Sequence, residues 1–169
     1  GITDLKNHNI KFIGDPQKRI EEDYLRIIRF VRFSLEYESK IEQTTIEAIK
    51  LNLDGIKKIS KERILSELFK ILNTKNFVRL NNNKRLKEIF SLIFPEFKYL
   101  ERLNKLDNQN NISNFDKKTL LAVMLIDEQN NHEYFSHKYN VSNELKETLS
   151  LTAKSFASIQ KNKEFFFKD

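Results

Sequence analysis

The chain has 169 residues, of which 39% are hydrophobic and 32% charged, and its formal net charge at pH 7 is +6. This composition is typical of a globular protein with one domain or two small ones. The sequence has no apolar run as long as a membrane span and no cysteine, which excludes disulfides and thiolate metal sites. We therefore expect a cytoplasmic protein with no secretion signal.

The positive charge is unevenly distributed along the chain. Residues 1–94 carry 19 basic and 13 acidic side chains, an excess of six, whereas residues 95–169 carry 11 of each. A polyanion such as RNA should therefore contact the first part of the chain. A basic surface that is simply solvated explains the same charge distribution, and both interpretations stay open at this point.

Helices should dominate the fold, because only three Gly and two Pro interrupt the sequence. Before the first helix, Lys11–Ile13 predicts a short strand, which cannot be stable without partner strands. We therefore predict an all-α fold with a short β remnant at its N-terminus.

Three helices are predicted in the first part of the chain. The first begins at Asp15-Pro16, an N-cap followed by a proline at the first helical position, and runs to about residue 37. The second spans roughly 42–52 and stops near Gly55, interpreted as a C-terminal glycine. Ser60 caps the third, which runs to about residue 72 with its inward residues at Ile64, Leu68, Ile71 and Leu72.

The second part continues with further helices and two polar loops. Loops are predicted around Asn81–Asn83 and over 107–114. A helix over 84–94 should end before Pro95, and Asp116 should start a strongly apolar helix that contains residues 120–126. The remaining predicted helices are 97–105, 132–139 and 142–159.

The first predicted helix carries a charged face opposite its apolar stripe. At 100° per residue, this face holds Arg19, Glu22, Asp23, Arg26 and Arg29. The simplest explanation is an exposed ladder of pairs, Arg19–Asp23 and Glu22–Arg26, each contributing only a few tenths of a kcal/mol. Such ladders are common on solvated helices.

Other motifs carry little chemical signal. His8, His132 and His137 lack acidic neighbours at ligand spacing, so we expect surface histidines and no metal site. No phosphate-binding glycine loop, serine elbow or zinc-binding helix motif occurs. The apparent strand at the start and the terminal Phe165–Phe167 suggest a piece of something larger, whose exposed faces could be interfaces.

Two segments of the sequence match motifs of a known family. Residues 10–33 read IKFIGDPQKRIEEDYLRIIRFVRF, which is similar to the pattern IRxIGDP…RxxEDxLRxxRxxRF. Residues 56–68 read IKKISKERILSEL and resemble the later SxERIxxEL motif. The chain thereby resembles the class II tRNA nucleotidyltransferases (CCA-adding enzymes) and bacterial poly(A) polymerases. The resemblance covers residues 1 to about 72.

The resemblance implies a helical neck and body without a catalytic head. It divides the chain into the end of the head (1–15), a neck with nucleotide-recognition and RNA-binding helices (16–74) and a body (75–169). The implied activity is addition of C and A, or of A alone, to RNA 3′ ends. The implied substrates are ATP and CTP, and Mg²⁺ serves the full-length enzyme.

The family's catalytic Asp-x-Asp and Arg-Arg-Asp segments do not occur in this sequence. We therefore expect no catalytic residue and no metal ligand in this chain, which should be inactive by itself. The implied partners are tRNA or another RNA 3′ end, nucleotides and a head domain in the same polypeptide, with no membrane.

The resemblance also implies roles for the charged face. Asp23 and Arg26 would read the nucleotide base and Glu22 would orient the arginine. Arg19 and Arg29 would contact the nucleotide phosphates or brace the motif, and Glu62 and Arg63 would brace the neck. Two alternatives stay open: a non-catalytic helical RNA-binding module, in which the motif is only a salt-bridge ladder, and a purely structural helical domain.

Overall fold

The structure is a computed structural model that describes residues 9–107 and 115–166, with the side chains of 164–166 excepted. Over these residues it contains α-helices, short 3₁₀ helices and no strand, which confirms the predicted all-α fold. The α-helices are α1 Pro16–Glu22, α2 Leu25–Glu36, α3 Gln43–Leu51, α4 Lys61–Leu72, α5 Lys84–Ile93, α6 Leu103–Asp107, α7 Lys117–Leu125, α8 Asn131–Lys138 and α9 Asn143–Phe166. The 3₁₀ helices are Leu53–Lys58, Phe77–Asn82 and Leu100–Arg102.

Three helices begin at the caps that the sequence predicts. The Asp15 carboxylate accepts from the Gln17 N–H at the start of α1, and Ser60 accepts from the first turn of α4. Asp116 likewise accepts from the first turn of α7. Each cap satisfies an N–H group that has no partner within its own helix, so these starts depend on local sequence alone.

The first predicted helix is two helices. Asp23 is extended, with φ −157° and ψ 106°, and it separates α1 from α2. Its Oδ1 accepts from the Leu25 N–H at 3.1 Å, so the side chain replaces the helical hydrogen bond at this position. Aspartate competes with the helix in this way because its short carboxylate reaches nearby backbone groups. The predicted continuous helix to residue 37 is therefore wrong.

Gly55 is a packing position rather than the predicted C-terminal glycine. It is buried within the 3₁₀ helix that follows α3. A Cβ added there would lie 2.1 Å from ring carbons of Tyr24. The ring of Tyr24 therefore rests on the glycine backbone, directly beside the break between α1 and α2, and the Lys58 Nζ lies 5.5 Å from the centre of the same ring.

Helix α2 is central to the first part of the molecule. It packs against α4 and α5, while α3 contacts α1 and α5. Helices α7, α8 and α9 contact one another, and α7 also touches α4. One cluster of buried hydrophobic residues runs from Ile20 to Leu149 and crosses the predicted neck–body boundary at residue 74. The domain boundaries themselves stay predictions.

Phenylalanine rings connect the two parts of this core. The rings of Phe90 and Phe97 stack with centroids 5.5 Å apart, and Phe97 contacts Phe135 at the same distance. Phe135 packs in turn on Tyr139 at 4.9 Å. Contacts between offset or tilted rings add to the area that these side chains bury, so the chain builds its core without tryptophan.

Several finer predictions need correction. Lys11–Ile13 forms no strand, since no partner strand occurs among the described residues. Asn81 and Asn82 lie in a 3₁₀ helix and Asn83 caps α5, so the predicted loop is wrong. The predicted helix over 97–105 is a 3₁₀ turn followed by α6, and α9 extends beyond residue 159.

His132 is buried, contrary to the predicted surface position, because it occupies the inner face of α8, whereas His137 is exposed. The predicted polar loop begins one residue too early, since Asp107 ends α6. His8, residues 108–114 of that loop and Phe167 lie outside the described residues.

Replacing Gly55 by alanine tests the contact with Tyr24. The new methyl group cannot coexist with the ring at 2.1 Å, so Tyr24 must shift. We expect the free energy of unfolding in urea to fall by about 1–3 kcal/mol. Asp54→Ala, at an exposed position in the same turn, is the control and should change it by less than about 0.5 kcal/mol. Equal effects of the two substitutions would contradict the packing of Tyr24 on Gly55.

Candidate nucleotide-binding site

The break between α1 and α2 presents the carboxylate of Asp23 at the surface. Its side chain is 30% exposed, and Arg63 from α4 donates to Oδ2 at 3.3 Å. Together with the Leu25 N–H, this contact fixes the orientation of the carboxylate. A carboxylate accepts from about four directions, so Asp23 can still accept a donor from a ligand.

Arg26 is held one turn further along, at the start of α2. Its Nη1 donates to Glu22 Oε2 at 2.6 Å and to the backbone carbonyl of Arg19 at 2.7 Å. Both contacts use the same nitrogen of a guanidinium that carries five N–H donors. Because the side chain is 31% exposed, its remaining donors can serve a ligand.

Glu22 is the acceptor that joins Arg26 to Arg19. The same Oε2 receives Arg19 Nη1 at 3.0 Å. The hydrogen bond from Arg26, together with the charges of the two arginines, lowers the pKa of the Glu22 carboxyl below its ordinary value. Glu22 is therefore ionised at neutral pH, and its carboxylate accepts the hydrogen bond from Arg26 as an anion.

Only part of the predicted salt-bridge ladder forms. Glu22 and Arg26 make the expected i,i+4 pair. Arg19 bonds to Glu22 rather than to Asp23, because α1 ends before Asp23 and the chain turns away. Asp23 bonds to a different helix through Arg63. The predicted Arg19–Asp23 pair is therefore wrong. Asp23 and Arg26 have different partners, Arg63 and Glu22 respectively.

Arg29 lies one turn beyond Arg26 and braces α2 against α4. Its Nε donates to Glu67 Oε1 at 3.1 Å, and Arg32 lies 3.2 Å from the other oxygen of the same carboxylate. Glu67 is only 2% exposed, so its charge requires these partners. Of the two roles that the sequence offered for Arg29, its contacts in this structure are those of a bracing residue.

Arg63 and Glu67 are the residues at this site whose contacts the sequence did not predict. Arg63 joins α4 to the break between α1 and α2 through its ion pair with Asp23. Glu67 lies within the motif at 56–68, and the resemblance implies no role for it. Arg63 and Glu67 are four residues apart, so both lie on one face of α4. This spacing is the feature of the sequence that could have indicated which face of α4 packs against the charged face of α2.

The described residues contain no group of three or more His, Cys, Asp or Glu that could hold a metal ion. Among the same residues, no helix is both long enough and apolar enough to cross a bilayer.

Comparisons with known proteins agree with the resemblance in the sequence. Residues 40–100 match a family described as "Probable RNA and SrmB- binding site of polymerase A". The CCA-adding enzyme of Lactobacillus helveticus is 49% identical over 71 residues, which cover 42% of this chain and 18% of that protein. The mitochondrial CCA tRNA nucleotidyltransferase 1 of Mus musculus is 36% identical over 132 residues, 73% of this chain and 30% of that protein.

The human mitochondrial CCA tRNA nucleotidyltransferase 1 is 45% identical over 75 residues, which cover 43% of the chain and 17% of the relative. The chain thus spans less than a third of the length of these relatives. The resemblance to the family of CCA-adding enzymes and poly(A) polymerases is confirmed.

Proposed function

We propose that this relative of the CCA-adding enzymes and poly(A) polymerases is the nucleotide-selecting and RNA-binding part of a nucleotidyltransferase. Asp23 and Arg26 read the base of the incoming nucleotide, and Glu22 holds the arginine in position. The basic first part of the chain, residues 1–94, binds the RNA close to the 3′ end of the RNA. ATP and CTP are the proposed substrates, and tRNA or another RNA 3′ end is the proposed acceptor.

The donor and acceptor chemistry of the pair selects cytosine and adenine. An ionised aspartate only accepts hydrogen bonds and an arginine only donates them. Cytosine offers an amine donor beside the N3 acceptor, and adenine offers an amine donor beside the N1 acceptor. Uracil and guanine present an acceptor beside an N–H donor, which sets like groups against each other. Each unpaired polar atom costs about 1–3 kcal/mol.

One observation supports this proposal most: the two residues are oriented by different partners. Arg63 holds Asp23, whereas Glu22 and the Arg19 carbonyl hold Arg26. In a simple ladder, Asp23 would pair with Arg19 on the same helix instead of with Arg63 on α4. Here the Asp23 carboxylate and the Arg26 guanidinium are each oriented before a ligand binds, and both remain partly exposed. Ligand binding therefore costs less side-chain conformational entropy.

The second candidate is a non-catalytic RNA-binding module. The match of residues 40–100 to an RNA-binding family favours it equally. It differs from the first proposal in one measurable property, because a module that contacts only the RNA backbone has no preference between bases.

The chemistry of transfer belongs, in this proposal, to another part of the enzyme. Two-metal nucleotidyl transfer needs carboxylate ligands, and the described residues do not form such a cluster. The Mg²⁺ ions would thus be held by a head domain in the same polypeptide. Addition of CCA and addition of A alone both fit the Asp23–Arg26 pair. The cytoplasm remains the proposed compartment.

Replacing Arg26 tests base selection. We expect the chain to bind CMP and AMP more tightly than UMP and GMP in NMR titrations. Arg26→Lys keeps the charge but loses the planar donor pair, so this preference should fall about ten- to a hundredfold. Lys18→Gln, an exposed change on α1, is the control and should leave the preference intact. A preference that survives Arg26→Lys would favour the salt-bridge-ladder interpretation.

RNA binding should depend steeply on salt. The excess charge of residues 1–94 predicts phosphate contacts, and these release counterions when they form. We expect the affinity for single-stranded RNA to fall by more than about tenfold between roughly 50 and 200 mM salt. Fluorescence anisotropy with labelled RNA measures this. Binding that is insensitive to salt, or that maps to residues 95–169, would contradict the proposed location.

A further inference from the structure

A cavity of about 540 Å³ lies at the opposite end of α2 from Asp23 and Arg26. The end of α2, the segment that leads to α3, the 3₁₀ helix before α5 and the first turn of α5 enclose it. We call it the α2–α5 pocket, and its polar lining includes Ser34, Ser39, Lys40, Arg79, Lys84 and Arg85. Its volume exceeds what a lone phosphate needs.

The lining of the pocket is strongly basic. Four cationic side chains, Lys40, Arg79, Lys84 and Arg85, face one acidic residue, Glu38. Arg79 is engaged by Asp107 at 3.3 Å and lies 3.8 Å from Glu38. Within residues 9–107 and 115–166, neither Lys40 nor Lys84 makes an ion pair, so their charges are available to an anion.

The first turn of α5 adds backbone donors to these charges. Asn83 caps this ten-residue helix by accepting from the Leu86 N–H at 3.1 Å. The N–H groups of Lys84 and Arg85 precede that bond, at a helix end where the backbone dipoles favour negative charge. The pocket therefore combines a positive helix terminus with basic side chains.

Ser34 is a second, independent observation at this pocket. Its residue is 1% exposed, and its hydroxyl has no hydrogen-bond partner among the described atoms. Ser34 lines the α2–α5 pocket. A buried hydroxyl without a partner is costly, and most such groups in folded proteins are satisfied. An anionic oxygen in the pocket would accept a hydrogen bond from it.

We propose that the α2–α5 pocket binds a backbone phosphate of an RNA strand. The inference rests on the proposed function, because it assigns one contact of the RNA that the chain is proposed to bind. Two observations favour a phosphodiester over a free anion: the pocket has room for an attached sugar, and most of its lining falls within the match to an RNA-binding family.

The position of the pocket on α2 suits a strand that also reaches the base-selecting residues. Arg26 and Ser34 are eight residues apart on α2, which corresponds to a rise of about 12 Å. Stacked nucleotides advance about 3.4 Å each, so that distance spans only a few nucleotides. The pocket would hold the strand a short way before its 3′ end.

The test uses the full chain and a short, labelled single-stranded RNA. Ser34→Ala removes the unpaired hydroxyl, so binding should weaken about three- to tenfold while the chain remains at least as stable in urea. The double variant Lys40→Gln with Lys84→Gln should weaken binding about tenfold and reduce the salt slope by about 1–2. The control, Lys154→Gln with Lys161→Gln on α9, removes the same charge from exposed positions and should change binding less than about twofold.

The outcomes separate this inference from the proposed function. If the unaltered chain binds RNA and the pocket variants bind as it does, or if the control loses as much affinity, the pocket assignment is overturned and the RNA-binding proposal stands. If the chain binds no RNA, the proposal of an RNA phosphate in the pocket falls with the proposed function.

Inorganic phosphate and polyglutamate identify the bound chemistry. At constant ionic strength, phosphate should shift the NMR amide signals of Lys84 and Arg85, whereas the absence of any shift would overturn an anion site. RNA should also bind more tightly than polyglutamate of similar charge. Equal binding of the two polymers would overturn an RNA phosphate as the specific occupant.

Discussion

The break between α1 and α2 decides where the two central charged residues lie. On a continuous helix, Asp23 would hydrogen-bond within its own turn and pair with Arg19. In the extended conformation it accepts from the Leu25 N–H and from Arg63 instead, and Arg26 is left to Glu22. The short carboxylate of an aspartate can replace a helical hydrogen bond of the nearby backbone, and this favours the break. The ring of Tyr24, the residue after Asp23, packs on Gly55, and this contact also stabilises the break.

The buried carboxylate of Glu67 holds α4 against α2. Glu67 accepts a hydrogen bond from Arg29 at 3.1 Å, while the Arg32 Nε lies 3.2 Å from its other oxygen and the Lys70 Nζ lies 3.5 Å from the first. Its buried charge is therefore paired with cationic side chains. The same helix carries Arg63, one turn earlier, to Asp23. The residues proposed to read the base and the residues that brace the helices therefore occupy neighbouring positions, and the charged face makes ion pairs to α4 as well as within its own helix.

Local signals account for what could be predicted from the sequence. The caps at Asp15, Ser60 and Asp116 are short-range hydrogen bonds, and apolar spacing marks the buried faces of the helices. The break at Asp23 leaves no sign in the sequence pattern, because the helical spacing of Ile20, Tyr24, Ile27 and Ile28 continues across it. Other missed features depend on distant partners: Gly55 depends on Tyr24, Asp23 on Arg63, and the burial of His132 and Ser34 on the packing of helices.

The structure of this chain bound to CMP tests the central proposal most directly. The account predicts that the exocyclic amine of cytosine lies within hydrogen-bond distance of the Asp23 carboxylate and that N3 faces the Arg26 guanidinium, with Glu22 still bound to Arg26. A cytosine ring that binds elsewhere, or that stacks near α2 while neither residue contacts its pairing edge, would contradict the account.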